Sequence, residues 1–202
     1  MNLIKMKEFK TLLLLLIGIL SFISCDETKE PGEYDNWQER NVSYIDSIAT
    51  VARANADSTW AVFLATGLDT EKQWGNEYYI YCQKLNDVEG THPLYTDTVL
   101  VNYSGRLIPT KSYPKGFVFD SSYDGEFDPL FDVPVKFPLA GTIAGFSTAL
   151  QQMSAGSRWL VYIPYTLGYG STATSGVPAF STLIFDINLV AFAPVGTPLP
   201  QK

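Results

Sequence analysis

The sequence predicts an α+β domain in which an antiparallel sheet covers one short helix, with a helical extension on its N-terminal side. Three observations carry this. Four segments alternate apolar and polar residues with the period of two that a strand imposes. Only one short stretch between them has helical spacing, and parallel pairing would need a helix in every crossover. The chain of 202 residues is 46% apolar and 14% aromatic, which is material for one core and little for a second.

The N-terminus is set apart from the fold. Residues 1–24 place Lys5, Lys7 and Lys10 ahead of an apolar run ending at Ser24, the pattern of a signal peptide. The run is shorter than the roughly 20 residues a spanning helix needs. The stretch "FISC" resembles the lipobox of bacterial lipoproteins, so Cys25 is the expected site of lipid attachment and the expected first residue after cleavage. The remaining cysteine is Cys82, so with Cys25 acylated no internal disulfide is available and the fold relies on its core. Residues 25–36, "CDETKEPGEYDN", are charged and carry Pro-Gly, as a tether between lipid and folded protein would. The acidic cluster after Cys25 resembles the export tag of surface-exposed lipoproteins. The expected location is therefore the outer membrane, facing the periplasm or the cell surface.

From Trp37 to Ala56 the apolar residues Trp37, Tyr44, Ile48 and Val51 recur near helical spacing, among the helix formers Ala49, Ala52 and Ala54. Such a stripe is expected to dock on its own domain; a homodimer through the helix is the other use open to it. Residues 37–75 form this extension and 76–193 the main domain. In 98–108, Val99, Val101 and Tyr103 share one strand face, and in 181–192 Leu183, Phe185, Ile187 and Leu189 do the same. Residues 78–85 and 158–164 supply two further strands. Residues 145–157 place Phe146, Leu150 and Met153 on one side of a short helix that is expected to close at Gly156. The Pro-rich residues 194–202 read as an extended, mobile tail.

Charge and composition remove several functions. The formal charge is −7, to which the signal peptide contributes +2 through three lysines and Glu8, so the mature chain carries −9. With 14 scattered Lys and Arg in the full sequence, three of them in the signal peptide, the mature chain offers no basic surface for nucleic acid or for an acidic membrane, leaving the lipid as the membrane contact. The lone histidine, His92, precedes Pro93 in a loop-like stretch, which leaves histidine triads and multi-histidine metal sites without support. No dinucleotide or phosphate-binding glycine motif is present, so no cofactor and no metal are expected. Composition leaves room for a two-carboxylate glycosidase site, though no spacing supports one. By itself Asp120, between the apolar "FVF" and Ser121-Ser122, fits a turn as well as it fits a site.

The segments "VLVNYSGRL", "FVFDSSYD", "VKFPLAGTIAGFSTALQQMSAGSRWLVYIPYTLGYG" and "VPAFSTLIFDINLVAF" change that balance. In order and spacing they resemble an FKBP-type peptidyl-prolyl cis-trans isomerase, closest to the bacterial Mip-like branch, over roughly residues 76–193. The resemblance implies a twisted antiparallel sheet wrapped on one short helix, a pocket of aromatic rings with one buried carboxylate, and proline-containing polypeptides as partners. Carried over by residue, Tyr103 and Phe119 would be wall rings, Asp120 the carboxylate, Phe146 the floor and Phe185 the inner wall. Ile143 would offer its backbone N–H to a substrate carbonyl, and the Tyr169 hydroxyl would bond the bound backbone. Val135, Phe137, Thr142 and Val177 would complete the substrate contacts.

Departures from the family pattern bear on activity. Phe146 stands where the family most often has tryptophan, and the loop from Ser171 to Gly176 has no histidine. The stretches "IPTKSYPKG" and "DGEFDPLFDVP" are longer than the family's loops and add Phe127, Leu130 and Phe131 near the expected rim. The expected function is isomerisation of X-Pro bonds in envelope or surface proteins. A module that keeps the fold but binds peptide with weak or no turnover is the competing reading.

Overall fold

The structure, a computed structural model, describes residues 32–55 and 59–199. The signal peptide, the lipobox with Cys25 and the last three residues of the tail lie outside the described residues. Residues from Glu33 onward form one compact unit.

Helix α1 (Trp37–Ala54) comes first. It is followed by β1 (Trp60–Leu64), β2 (Tyr79–Asn86), β3 (Thr98–Arg106), β4 (Val118–Ser121) and β5 (Val135–Pro138). Helix α2 (Ala144–Leu150), β6 (Arg158–Ile163) and β7 (Leu183–Ala193) complete the order. The strands make one sheet in the order β1-β2-β6-β7-β3-β4, with β5 also paired to β3, and all pairings are antiparallel.

Strand alternation divides the sheet into two buried faces. Ile80 and Cys82 of β2, Trp159, Val161 and Ile163 of β6, and Leu183, Phe185, Ile187 and Leu189 of β7 face α2 in the main core, with Val99, Val101 and Tyr103 of β3. Tyr81, Tyr162 and Ile184 point the other way and meet Ile45, Ala49 and Ala52 of α1. The short α2 is buried on nearly every side. It sits close because Gly145 carries no Cβ, which would collide with Ile163.

Three sequence expectations are corrected. The buried stripe of α1 is Trp37, Asn41, Ile45, Ala49 and Ala52, while Tyr44 and Ile48 are half-buried and Val51 is exposed. The helix is turned so that a polar residue lies against the sheet, because Asn41 Oδ1 accepts from the Thr182 N–H at 2.7 Å and Trp37 Nε1 donates to Ser181 Oγ at 2.9 Å. The 37–75 extension is not only helical: β1 pairs with β2 and lengthens the sheet. Its sequence, Trp-Ala-Val-Phe-Leu, lacks alternation, and all five residues are partly buried. Finally, α2 ends at Leu150, and the φ of +92° at Gly156 serves a turn into β6 whose N–H bonds Leu189 O at 2.7 Å. Met153 is buried beyond the helix end.

Candidate active site

One end of the main core is left open as a cavity of about 220 Å³. Phe146 of α2, Tyr103 of β3 and Phe185 of β7 meet there as three rings: Phe146 stands 5.2 Å from Phe185 and 6.0 Å from Tyr103, centroid to centroid, both near-perpendicular. Edge-to-face packing of this kind suits the ring quadrupoles and locks each ring against the others. Phe137 of β5 adds a fourth ring, 5.7 Å from Tyr103. Gly141, Thr142 and Ile143, the turn into α2, form the opposite lip with Tyr169. Ile143 precedes α2 in extended conformation and offers no side-chain cap, so the N–H groups at this end are not taken up by a side chain of the cap residue.

The polar atoms of the cavity are few and placed. Tyr103 donates its hydroxyl to Asp120 Oδ2 at 2.7 Å. Burial pushes the Tyr103 phenol up well beyond its ordinary range, and the hydrogen bond to Asp120 and the charge on that carboxylate add to this. Tyr169 is raised too, by burial first and by Asp120 second. Among the described residues its hydroxyl has no hydrogen-bond partner. Both phenols are therefore neutral at physiological pH: Tyr103 commits its proton to Asp120, and Tyr169 keeps a free donor at the lip of a largely apolar space.

Eight of the eleven pocket residues expected from sequence line this cavity: Tyr103, Asp120, Phe137, Thr142, Ile143, Phe146, Tyr169 and Phe185. Phe119 stands behind the wall, its ring edge-on to Phe185 at 5.6 Å. Val135 is one pleat out from Phe137 and exposed. Val177 is buried and lines a separate groove beside Tyr113 and Phe117. The carboxylate is not buried as expected: Asp120 is exposed, because β4 is a four-residue strand at the sheet's edge. Phe127 turns away to Tyr123 and Arg158, and neither Leu130 nor Phe131 lines the cavity.

Sequence reasoning missed Gly141 and the two serines that follow Asp120. Ser122 N–H donates to Tyr103 O at 2.9 Å, and Ser122 Oγ accepts from Tyr103 N–H at 2.9 Å. Ser121 Oγ donates to the same carbonyl at 3.2 Å. The signal was present as a Ser-Ser pair, but it reads equally well as turn chemistry.

The family model described as FKBP-type peptidyl-prolyl cis-trans isomerase matches residues 90–190. The FKBP-type 22 kDa peptidyl-prolyl cis-trans isomerase of Escherichia coli (strain K12) is 42% identical over 108 residues, which is 52% of this chain and 46% of that protein. The chain thus spans about half the length of that curated relative. The outer membrane protein MIP of Legionella longbeachae is 32% identical over 81% of this chain and 59% of its own length. A crystal structure of a peptidyl-prolyl cis-trans isomerase from Pseudomonas syringae pv. tomato str. DC3000 superposes with a TM-score of 0.53 at 25% identity, covering 77% of this chain and 96% of that one. A matched segment that contains every residue of the aromatic cavity, together with a shared sheet-and-helix architecture, leads to one statement: the chain belongs to the FKBP-type peptidyl-prolyl cis-trans isomerase family, with relatives of the Mip type.

Proposed function

We propose that the chain isomerises X-Pro bonds of envelope or surface polypeptides by letting the prolyl amide twist inside the aromatic cavity. The observation that carries this is the convergence of Tyr103, Asp120, Ile143, Phe146, Tyr169 and Phe185 on one small apolar space. Rotation about the amide breaks no bond but must overcome a barrier of about 18–20 kcal/mol set by resonance. The planar amide is charge-separated and the twisted one is not. Apolar walls therefore favour the twisted form relative to the ground state. Phe146, Phe185 and Tyr103 supply those walls. The Ile143 N–H takes the carbonyl on one side of the proline and the Tyr169 hydroxyl takes backbone on the other, so the chain is held while the amide turns. Asp120 fixes the Tyr103 ring and attacks nothing.

The sequence supports the setting of this activity. The lysine-led apolar run and the lipobox favour a signal peptide and a lipid on Cys25, and the Mip relative's description as an outer membrane protein favours the same envelope location. A homodimer through α1 would have to use its exposed flank, with Val42 and Val51, since the buried face already lies on the chain's own sheet.

Phe146 favours a second reading. With a phenyl where an indole is usual, the floor is smaller, which suits a module that holds proline peptides and turns them over slowly. Protease-free measurement of cis-to-trans conversion on a set of X-Pro peptides separates the two. Catalysed exchange supports the enzyme, whereas binding without acceleration overturns it in favour of the module.

A further inference from the structure

The loop between β4 and β5 holds large apolar side chains in solvent. Leu130, Phe131 and Val133 are 81%, 80% and 77% exposed. The root of the same loop is fastened. Phe127 packs on Tyr123 at 5.4 Å and lies 4.8 Å beneath the Arg158 guanidinium. Arg158 in turn grips Asp186 of β7 through Nε and Nη2, at 2.9 and 2.7 Å. The tip is ordered by its own carboxylates: Leu130 N–H donates to Asp128 Oδ1 at 2.8 Å, and Asp128 N–H to Asp132 Oδ2 at 2.7 Å. A formed turn therefore displays Leu130 and Phe131. Single exposed apolar residues need no account, but a displayed cluster does.

Position and charge limit what it can meet. Val133 leads into β5, where Val135 shares a strand face with Phe137, a wall of the cavity. Apolar surface thus runs in chain order from the loop tip to the cavity. Between Phe117 and Val135 the sequence holds five carboxylates, Asp120, Asp124, Glu126, Asp128 and Asp132, and no Lys, Arg or His; with Lys136 next on β5, and the Arg158 over Phe127 paired to Asp186, the surface stays net negative. Such a surface repels an anionic bilayer and a second copy of this net-negative chain. It complements a polypeptide in which apolar and basic residues are mixed.

We propose that residues 128–135 form a substrate-selecting surface that binds the segment flanking the proline and favours apolar residues interspersed with Lys or Arg. The proposal rests on the reading of the cavity given above. A flank held equally in the planar and the twisted state lowers KM and leaves kcat unchanged.

The test uses peptides of about fifteen residues, long enough when extended to leave the cavity. Each has one Ala-Leu-Pro-Phe core and flanks of Lys/Leu, Glu/Leu or Gly/Ser. The chain is expected to show a KM about tenfold lower for Lys/Leu than for Gly/Ser flanks at equal kcat. Leu130→Ser with Phe131→Ser should erase that difference while the bare core peptide is turned over as before. Asp124→Asn with Glu126→Gln should narrow the gap between Lys/Leu and Glu/Leu flanks. Equal KM for all flanks overturns the proposal, as does a preference that survives in Leu130→Ser/Phe131→Ser. Binding to phosphatidylglycerol vesicles, or concentration-dependent dimerisation, that is lost in this double variant with no flank preference in the parent overturns it too. If the bare core is not turned over at all, the cavity reading fails separately, and calorimetric titration of the flanked peptides decides the loop.

Discussion

Tyr103 is tied to the Asp120 strand at both of its ends. Its hydroxyl donates to Asp120 Oδ2 at 2.7 Å, and its backbone N–H and carbonyl are both bonded by Ser122, two residues further along. The ring is thereby fixed as a wall, with Phe137, Phe146 and Phe185 packed on it. Removing the hydroxyl end should loosen the wall without unfolding it. Tyr103→Phe deletes one hydrogen bond, and the exposed Asp120 regains water, so a stability loss of about 0.5–1.5 kcal/mol is expected with a severalfold fall in kcat/KM. Asp120→Asn keeps an acceptor but not the charge, so it should lose less of both. Urea melts and X-Pro exchange rates check the order; Asp120→Asn falling below Tyr103→Phe would assign the carboxylate a role beyond holding the ring.

Phe185 is nearly fully buried and touches Tyr103, Phe119 and Phe146. Phe185→Ala opens the inner wall to water and leaves a cavity in the core, which costs about 3–5 kcal/mol of stability. Most activity should go with it. Tyr169→Phe, at an exposed lip residue, should leave the melting temperature nearly unchanged and reduce kcat/KM by a factor worth about 0.5–1.5 kcal/mol. Equal activity losses in the two folded variants would count against wall and hydrogen bond being separate requirements.

Gly105 lies where the rings of Phe119 and Phe185 close over β3. A Cβ there would stand 2.6 Å from Phe185 and 2.7 Å from Phe119. Both rings must give way, so Gly105→Ala is expected to cost about 1–3 kcal/mol by overpacking and to disturb the cavity from behind. Denaturant titration should show a lower midpoint with an unchanged slope.

β2, β3, β6 and β7 were legible because their apolar residues recur with a period of two on the face turned to α2, although α1 buries Tyr81, Tyr162 and Ile184 on the opposite face as well. β1 was not, since an edge strand half-buried on both sides has no polar partner residues to mark it. The cavity residues were legible only through their resemblance to family motifs. Nothing in local spacing tells Phe146 as a floor from Phe146 as core, or says that Asp120 is exposed. The same limit explains Phe119 and Val177, whose displacement from the cavity depends on packing between residues far apart in sequence. The rotation of α1 turned on Asn41, a polar residue that periodicity assigns to solvent and that long-range bonding to Thr182 draws inside.

Asn41 therefore offers a test of how α1 is held. Its Nδ2 donates to Trp37 O at 2.7 Å while Oδ1 accepts from Thr182 N–H. Asn41→Ala leaves that buried N–H without a partner, an expected loss of about 1–3 kcal/mol. A chain beginning at Asn76 loses α1 and β1 together, baring Tyr81, Tyr162 and Ile184 and the edge of β2. It should aggregate rather than remain a stable monomer. Melting and sedimentation profiles identical to the longer chain would show that α1 contributes nothing in cis.

The raised tyrosines give the fold an alkaline limit. Burial pushes Tyr81 up to about 12 against the opposing pull of Arg53, and burial likewise raises Tyr162 and Tyr103, the last with help from Asp120. In each case the folded protein holds the phenol proton more tightly than the unfolded chain, whose tyrosines titrate near 10. The stability they contribute is thus fully present below about pH 10 and is lost as pH rises from there through the folded values. Urea midpoints should be flat with respect to these groups between pH 7 and 9 and fall above about pH 10. Phenolate absorbance should rise in two stages, exposed tyrosines first and the buried group only as circular dichroism reports unfolding. A single phenolate transition near pH 10 with the fold intact would mean that Tyr81, Tyr103 and Tyr162 are reached by solvent, and that the Tyr103 wall is wetter than its packing implies.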